Sequence, residues 1–147
     1  MSIAGFMTED HRSCDGDLAL VEQLVEAEKW AEALEVWQRF DATTRCHFQR
    51  EEEFLFPAFE AAMGSTQGPT QVMRMEHEQV RAILPVLEAS VREQDATRFL
   101  GMSDTLMVLI QQHNMKEEQI LYPMSEQVIP DTEAVLAQIR ALKCEVQ

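Results

Sequence analysis

Apolar residues recur along most of the chain at the three-and-four spacing of an amphipathic helix, and no stretch shows the strict alternation of a half-buried strand. Thr8 caps a first helix that runs to about residue 27, with Gly16 weakening it modestly. A second extends from about Trp30 to Met63. The segment "GSTQGP" at 64–69 is the one evident loop, and Pro69 opens a third helix to about Arg92. Asp95 caps a fourth that reaches about Gln127. Pro130 and Asp131 start a short fifth helix, about 131–145, with a stripe at Val135, Ile139, Leu142 and Val146. Pro57, Pro85 and Pro123 fall inside helical pattern, so kinks or early ends are expected there. The fold class is all-α.

The second and fourth helices carry nearly the same phrase, "HFQREEEFLFP" from His47 and "HNMKEEQILYP" from His113. A shift of 66 residues superposes His47 on His113, Glu51 on Glu117, Glu52 on Glu118, Leu55 on Leu121 and Pro57 on Pro123. The same shift carries His11 onto His77, Met7 onto Met73 and Val25 onto Val91. The chain therefore reads as two helix pairs of one design. This predicts an up-down-up-down four-helix bundle with a pseudo-twofold helix-pair repeat, spanning about 8–127, in a single domain with the short fifth helix appended.

Residues four apart on a helix differ by about 40° in direction, so His47 faces with Glu51 and His113 with Glu117. Both faces are otherwise apolar. Met102, Leu106, Leu109, Ile120 and Met124 flank His113; Val36, Phe40, Phe54 and Ala58 flank His47. His11 and His77 likewise sit among apolar positions. Four imidazoles and two carboxylates thus point inward, and no buried lysine is available to neutralise the acids. Buried carboxylates without a counter-charge are costly, and a metal supplies one. Six nitrogen and oxygen donors under a twofold shift suit two ions of iron, manganese or zinc. With both carboxylates bridging and a solvent-derived oxo or hydroxo bridge, each ion keeps one open position, fit for a small diatomic.

Composition narrows the partners. Twelve basic against 26 acidic residues give a net charge of −14, which opposes nucleic acid and anionic membranes. No apolar run has the length of a membrane span, and the acidic opening "MSIAGFMTEDHR" is no signal peptide. Three cysteines without CxxC spacing, Cys14, Cys46 and Cys144, fit free thiols in a reducing compartment. A cytoplasmic protein is expected. Tyr122, nine residues past His113, falls about 180° round an ideal helix and should face away from the ligands. Trp30 and Trp37 should pack one seam, and the acid pair Glu52 and Glu53 should be a solvated flank, though Glu52 could orient a ligand from outside.

These motifs ("DHR", "HFQREEEFLFP", "MEHEQV" and "HNMKEEQILYP") resemble the hemerythrin HHE cation-binding domain family over nearly the whole chain. The resemblance implies a non-haem di-iron centre with His11, His47, Glu51, His77, His113 and Glu117 as ligands. His11 and His47 would serve one iron, His77 and His113 the other, with both glutamates bridging. It further implies a small diatomic partner, dioxygen or nitric oxide, bound in sensing or stress response. The alternative is catalysis: repair of iron–sulfur clusters, or reduction of nitric oxide or peroxide. Oxygen carriers of the family place another histidine one turn from the third-helix histidine, where this chain has Met73 or Arg81. The four-histidine, two-glutamate set is instead similar to the repair-type branch, in which an acid at the position of Glu76 lies near the metals.

Overall fold

The computed structural model of the chain describes residues 1–144, and Val146 of the expected C-terminal stripe lies outside them. Among the described residues seven α-helices succeed one another: α1 (Ile3–Glu26), α2 (Trp30–Arg50), α3 (Phe56–Met63), α4 (Pro69–Arg92), α5 (Ala96–Lys116), α6 (Tyr122–Val128) and α7 (Thr132–Ala141). Single π-helical turns, Glu51–Leu55 and Glu117–Leu121, weld α2 to α3 and α5 to α6. The expected second and fourth rods are therefore continuous. Helix α1 packs on α2 and α5, and α4 packs on α5 and α2, which closes the four-helix bundle.

Local chemistry sets the ends. Helix α1 starts five residues before the expected Thr8, because the Ser2 hydroxyl caps the Gly5 N–H at 2.9 Å and Ile3 and Met7 are buried. Its C-terminus closes with Glu28 in the left-handed region (φ 57°), the Glu28 and Lys29 N–H groups donating back to Val25 and Leu24. Gln94 (φ 56°) ends α4 with the same bonds to Val91 and Ser90, so the repeat extends to its caps. Asp95 and Asp131 cap α5 and α7 as expected, accepting from Arg98 and Ala134 at 3.0 Å. Helix α4 runs through Pro85 without a break.

The π turns are what Pro57 and Pro123 do to their helices. A proline has no N–H to donate and its ring crowds the carbonyl four residues back. Widening the preceding turn relieves both, with the Phe56 N–H donating to the Glu51 carbonyl and the Tyr122 N–H to that of Glu117. Each extra residue rephases the helix beyond it. The expected inward positions Ile120, Met124, Phe54 and Ala58 yield to Leu121, Tyr122 and Ser125 in one rod and Leu55, Phe56 and Phe59 in the other, while Ile120 is 52% exposed.

Two apolar clusters sandwich the polar centre. One, built on α1, α2, α4 and α5, holds Trp37, Phe40, Phe99 and Leu84; the other holds Ile3, Phe56, Phe59, Leu121 and Ile139. Trp37 is fully buried against Phe40 and edge-on to Phe99, whereas Trp30 lies at that cluster's margin. Helix α7 covers the second cluster with Val135, Leu136 and Ile139 and ends at Ala141, short of the expected 145. Arg50 fastens it, donating from Nε to the Ile139 carbonyl (3.0 Å) and from Nη2 to that of Leu142 (2.8 Å).

The cysteines correct the free-thiol expectation. Cys46 is disulfide-bonded to Cys144 with a Cα–Cα distance of 5.5 Å, and only Cys14 is free. A pair 98 residues apart in sequence meets only because α7 folds back beside α2. The thiol argument for a reducing compartment thereby falls. Among the described residues no helix is long and apolar enough to cross a membrane.

Candidate metal centre

All six expected donors meet at mid-bundle, and all are buried. Helix α1 brings His11, α4 brings His77, and the rods α2 and α5 bring His47 with Glu51 and His113 with Glu117. Every imidazole turns Nε2 inward. His11 Nε2 lies 3.0 Å from Glu117 Oε1, His77 Nε2 3.1 Å from Glu51 Oε1, His113 Nε2 3.3 Å from Glu117 Oε1 and His47 Nε2 3.5 Å from Glu51 Oε1. Donor atoms of Glu51, His77, His113 and Glu117 fall within 4.8 Å of one another, and so do those of His11, His47 and Glu117. Glu117 belongs to both groups.

The outer nitrogens are equally organised. Nδ1 of His11 donates to Glu118 (2.8 Å), that of His47 to Asp10 (2.8 Å), that of His77 to Glu52 (2.6 Å) and that of His113 to Glu76 (2.9 Å). A proton held on Nδ1 leaves the Nε2 lone pair of the neutral ring facing inward, and the carboxylate raises that lone pair's basicity. These acids obey the 66-residue shift as well: Asp10 maps to Glu76 and Glu52 to Glu118. The sequence suggests parts for Glu52 and Glu76; those of Asp10 and Glu118 emerge only here, though the shift points to both. Glu53 is exposed, as expected of a solvated flank.

Charge is finely divided in so small a space. Burial and the neighbouring Glu117 push the Glu51 carboxyl upward. Burial presses Glu117 the same way, yet His113 and hydrogen bonds from Glu51 and His11 hold it well below the usual carboxylate range. Burial opposes charge on His113 too, but Glu117, Glu51 and Glu76 raise its imidazole to about 9. Burial is likewise outweighed at His11 and His77, which their carboxylate partners raise. Outside, burial is overcome at Glu52 by His77 and by Arg81, whose two Nη atoms reach its oxygens at 2.8 and 2.9 Å, and its carboxyl falls to about 2.

Four substitutions break the twofold shift at the centre, and they give the halves different surroundings. Phe48 stacks flat on His77 (centroids 3.9 Å apart, planes 14°), but its counterpart is Asn114. Cys14 pairs with Val80 and Thr44 with Ile110. These three pairs line a cavity of about 20 Å³ that touches His11, His47 and His113. Burial pushes the Cys14 thiol up to about 11, so it lines the cavity as a neutral thiol. The fourth break is Tyr122 against Phe56. Both rings lie beside a histidine, Tyr122 at 5.7 Å from His11 and Phe56 at 5.5 Å from His77. The expectation that Tyr122 faces away is thus corrected: the π turn between His113 and Tyr122 adds a residue, which swings the phenol inward.

The donors fit a metal. Nitrogen and oxygen ligands without thiolate suit iron, manganese or zinc. His113 Nε2 and Glu117 Oε2 are buried without a hydrogen-bond partner, a costly state that a cation relieves. The profile of the hemerythrin HHE cation binding domain matches residues 2–125. No curated protein and no solved structure matches the chain.

Proposed function

The chain belongs to the hemerythrin HHE cation-binding domain family, and from that premise we propose that it is a non-haem di-iron protein that takes dioxygen or nitric oxide. The observation that carries the reading is Glu117, shared by two buried donor groups. His11 and His47 would hold one ion, His77 and His113 the other, and Glu51 and Glu117 would serve both. When bound, an iron pair supplies two one-electron redox centres and a coordination position for a small ligand.

The residues of the chain do the rest. Asp10, Glu52, Glu76 and Glu118 take the Nδ1 protons of the imidazoles and aim each Nε2 inward. Phe48 covers His77 and sheds water from that ring. The small cavity beside His11 and His47 has room for one diatomic and little more. Met73, buried one turn before His77, offers a thioether where an oxygen carrier presents an imidazole, and a thioether is a poor donor to a hard ion. The expected outcome is oxidation by dioxygen, not reversible carriage. Anaerobic titration with ferrous iron should end at two ions per chain, with optical and Mössbauer spectra of a coupled pair. Stopped-flow mixing with oxygen should then give a diferric product that vacuum does not reverse. Binding of zinc alone, or of one iron, would defeat the proposal.

A further inference from the structure

The six-ligand reading leaves Tyr122 without a part, yet its hydroxyl stands among the ligands. Tyr122 Oη lies 2.8 Å from Glu51 Oε2, 3.0 Å from Glu117 Oε1, 3.2 Å from His11 Nε2 and 3.5 Å from His47 Nε2. The phenol has one proton to offer. Two carboxylate oxygens and two imidazole nitrogens ring this single O–H, and His11 Nε2 already pairs with Glu117 at 3.0 Å. A hydrogen bond to Glu51 satisfies one of them. It does not explain the other three.

A coordination polyhedron does. Donors bound to one ion at about 2.1 Å stand about 3 Å apart when adjacent, and Tyr122 Oη keeps roughly that separation from all four atoms. The donor count agrees. Among histidine, cysteine and acidic side chains the His77–His113 half gathers four donors, and the His11–His47 half gathers three. Tyr122 sits on the half that is one short. On the other half the repeat places Phe56, which has no oxygen to give.

We propose that Tyr122 Oη is a ligand of the ion held by His11 and His47, and that the two ions of the centre are chemically inequivalent. The assignment rests on the two-ion reading above. On coordination the phenolic O–H bond breaks, an oxygen–metal bond forms, and the proton leaves to water; no electron moves. An anionic phenolate favours the ferric state, so the ion held by His11 and His47 is the one more easily oxidised.

Tyr122 is the chain's single tyrosine, which makes the test direct. Protein loaded anaerobically with ferrous iron and then oxidised in air should show a phenolate-to-ferric charge-transfer band in the visible. Resonance Raman excitation within that band should enhance tyrosinate ring modes. Tyr122→Phe should keep two irons per chain and lose both signals. In the double variant Tyr122→Phe with Phe56→Tyr, the signals should return from the other half. A fully iron-loaded wild type without tyrosinate modes would overturn the assignment and leave the di-iron reading standing. A chain that takes up no iron would overturn both. Should the Phe variant not fold, the wild-type Raman spectrum decides alone.

Discussion

Phe48 lies flat on the His77 ring at 3.9 Å, whereas Asn114, at the equivalent place in the other half, leaves a cavity beside His11. A centre whose ligands repeat so closely is therefore covered over His77 and open beside His11, His47 and His113. Filling the cavity should close it. Asn114→Phe is expected to weaken binding of nitric oxide or azide by about tenfold or more, equivalent to about 1.4 kcal/mol, while iron content stays at two. Optical titration of the reduced and oxidised protein measures this, and unchanged affinity would mean that ligands enter elsewhere.

The outer carboxylates should set metal affinity one half at a time. Removing such a partner commonly costs 10–100-fold in affinity, so Asp10→Ala should loosen the ion held by His47 and Glu76→Ala the one held by His113 by about that much. Competition with a chelator, combined with metal analysis, reads the loss at each position. Glu52→Ala should show an additional effect, since Arg81 then loses the acceptor that both its Nη atoms hold. An equal loss at both ions in every variant would argue against separate halves.

Much of the centre is legible in the residues. Helical periodicity places the rods, and the shift relating His11 to His77 and Glu51 to Glu117 places the donors on facing helices. What escapes depends on two kinds of contact. Cys46 with Cys144 and His11 with Glu118 join segments 98 and 107 positions apart, and no local spacing announces them. Tyr122 is misplaced by the geometry of an ideal helix across Glu117–Leu121, where a π turn adds a residue. Pro123 is the available warning. A proline within a helix that must stay continuous demands a local change of pitch, and the same demand at Pro57 has the same answer.

The disulfide should carry a measurable share of the stability. It closes a loop of 98 residues, and cross-links of this kind contribute about 2–4 kcal/mol, chiefly by restricting the unfolded chain. Cys144→Ser is expected to lower the unfolding free energy by about that amount. Faster amide exchange in α7 should accompany it, because among the described residues Arg50 and apolar packing then fasten the helix. Denaturant unfolding of wild type with and without reductant gives an independent measure; coincident midpoints would show that the link adds nothing.

The centre should also make metal binding tighten with pH. His113 is raised from 6.5 to about 9 when no metal is bound, with Glu117 and Glu76 favouring its proton against the effect of burial. A raised imidazole stabilises the metal-free fold fully below about pH 6.5, and that contribution disappears as pH climbs through about 9. The shift corresponds to at most about 3 kcal/mol. His11 and His77 are displaced in the same direction and add to the trend. An ion must displace these protons from Nε2, so loading releases them and grows more favourable over the window in which the metal-free protein weakens. The gap in melting temperature between iron-loaded and metal-free protein should thus be small near pH 6 and widen towards pH 9. Scanning calorimetry of both forms across that range tests it. A gap that stays constant would mean that the ion and the imidazole protons do not compete for the same nitrogens.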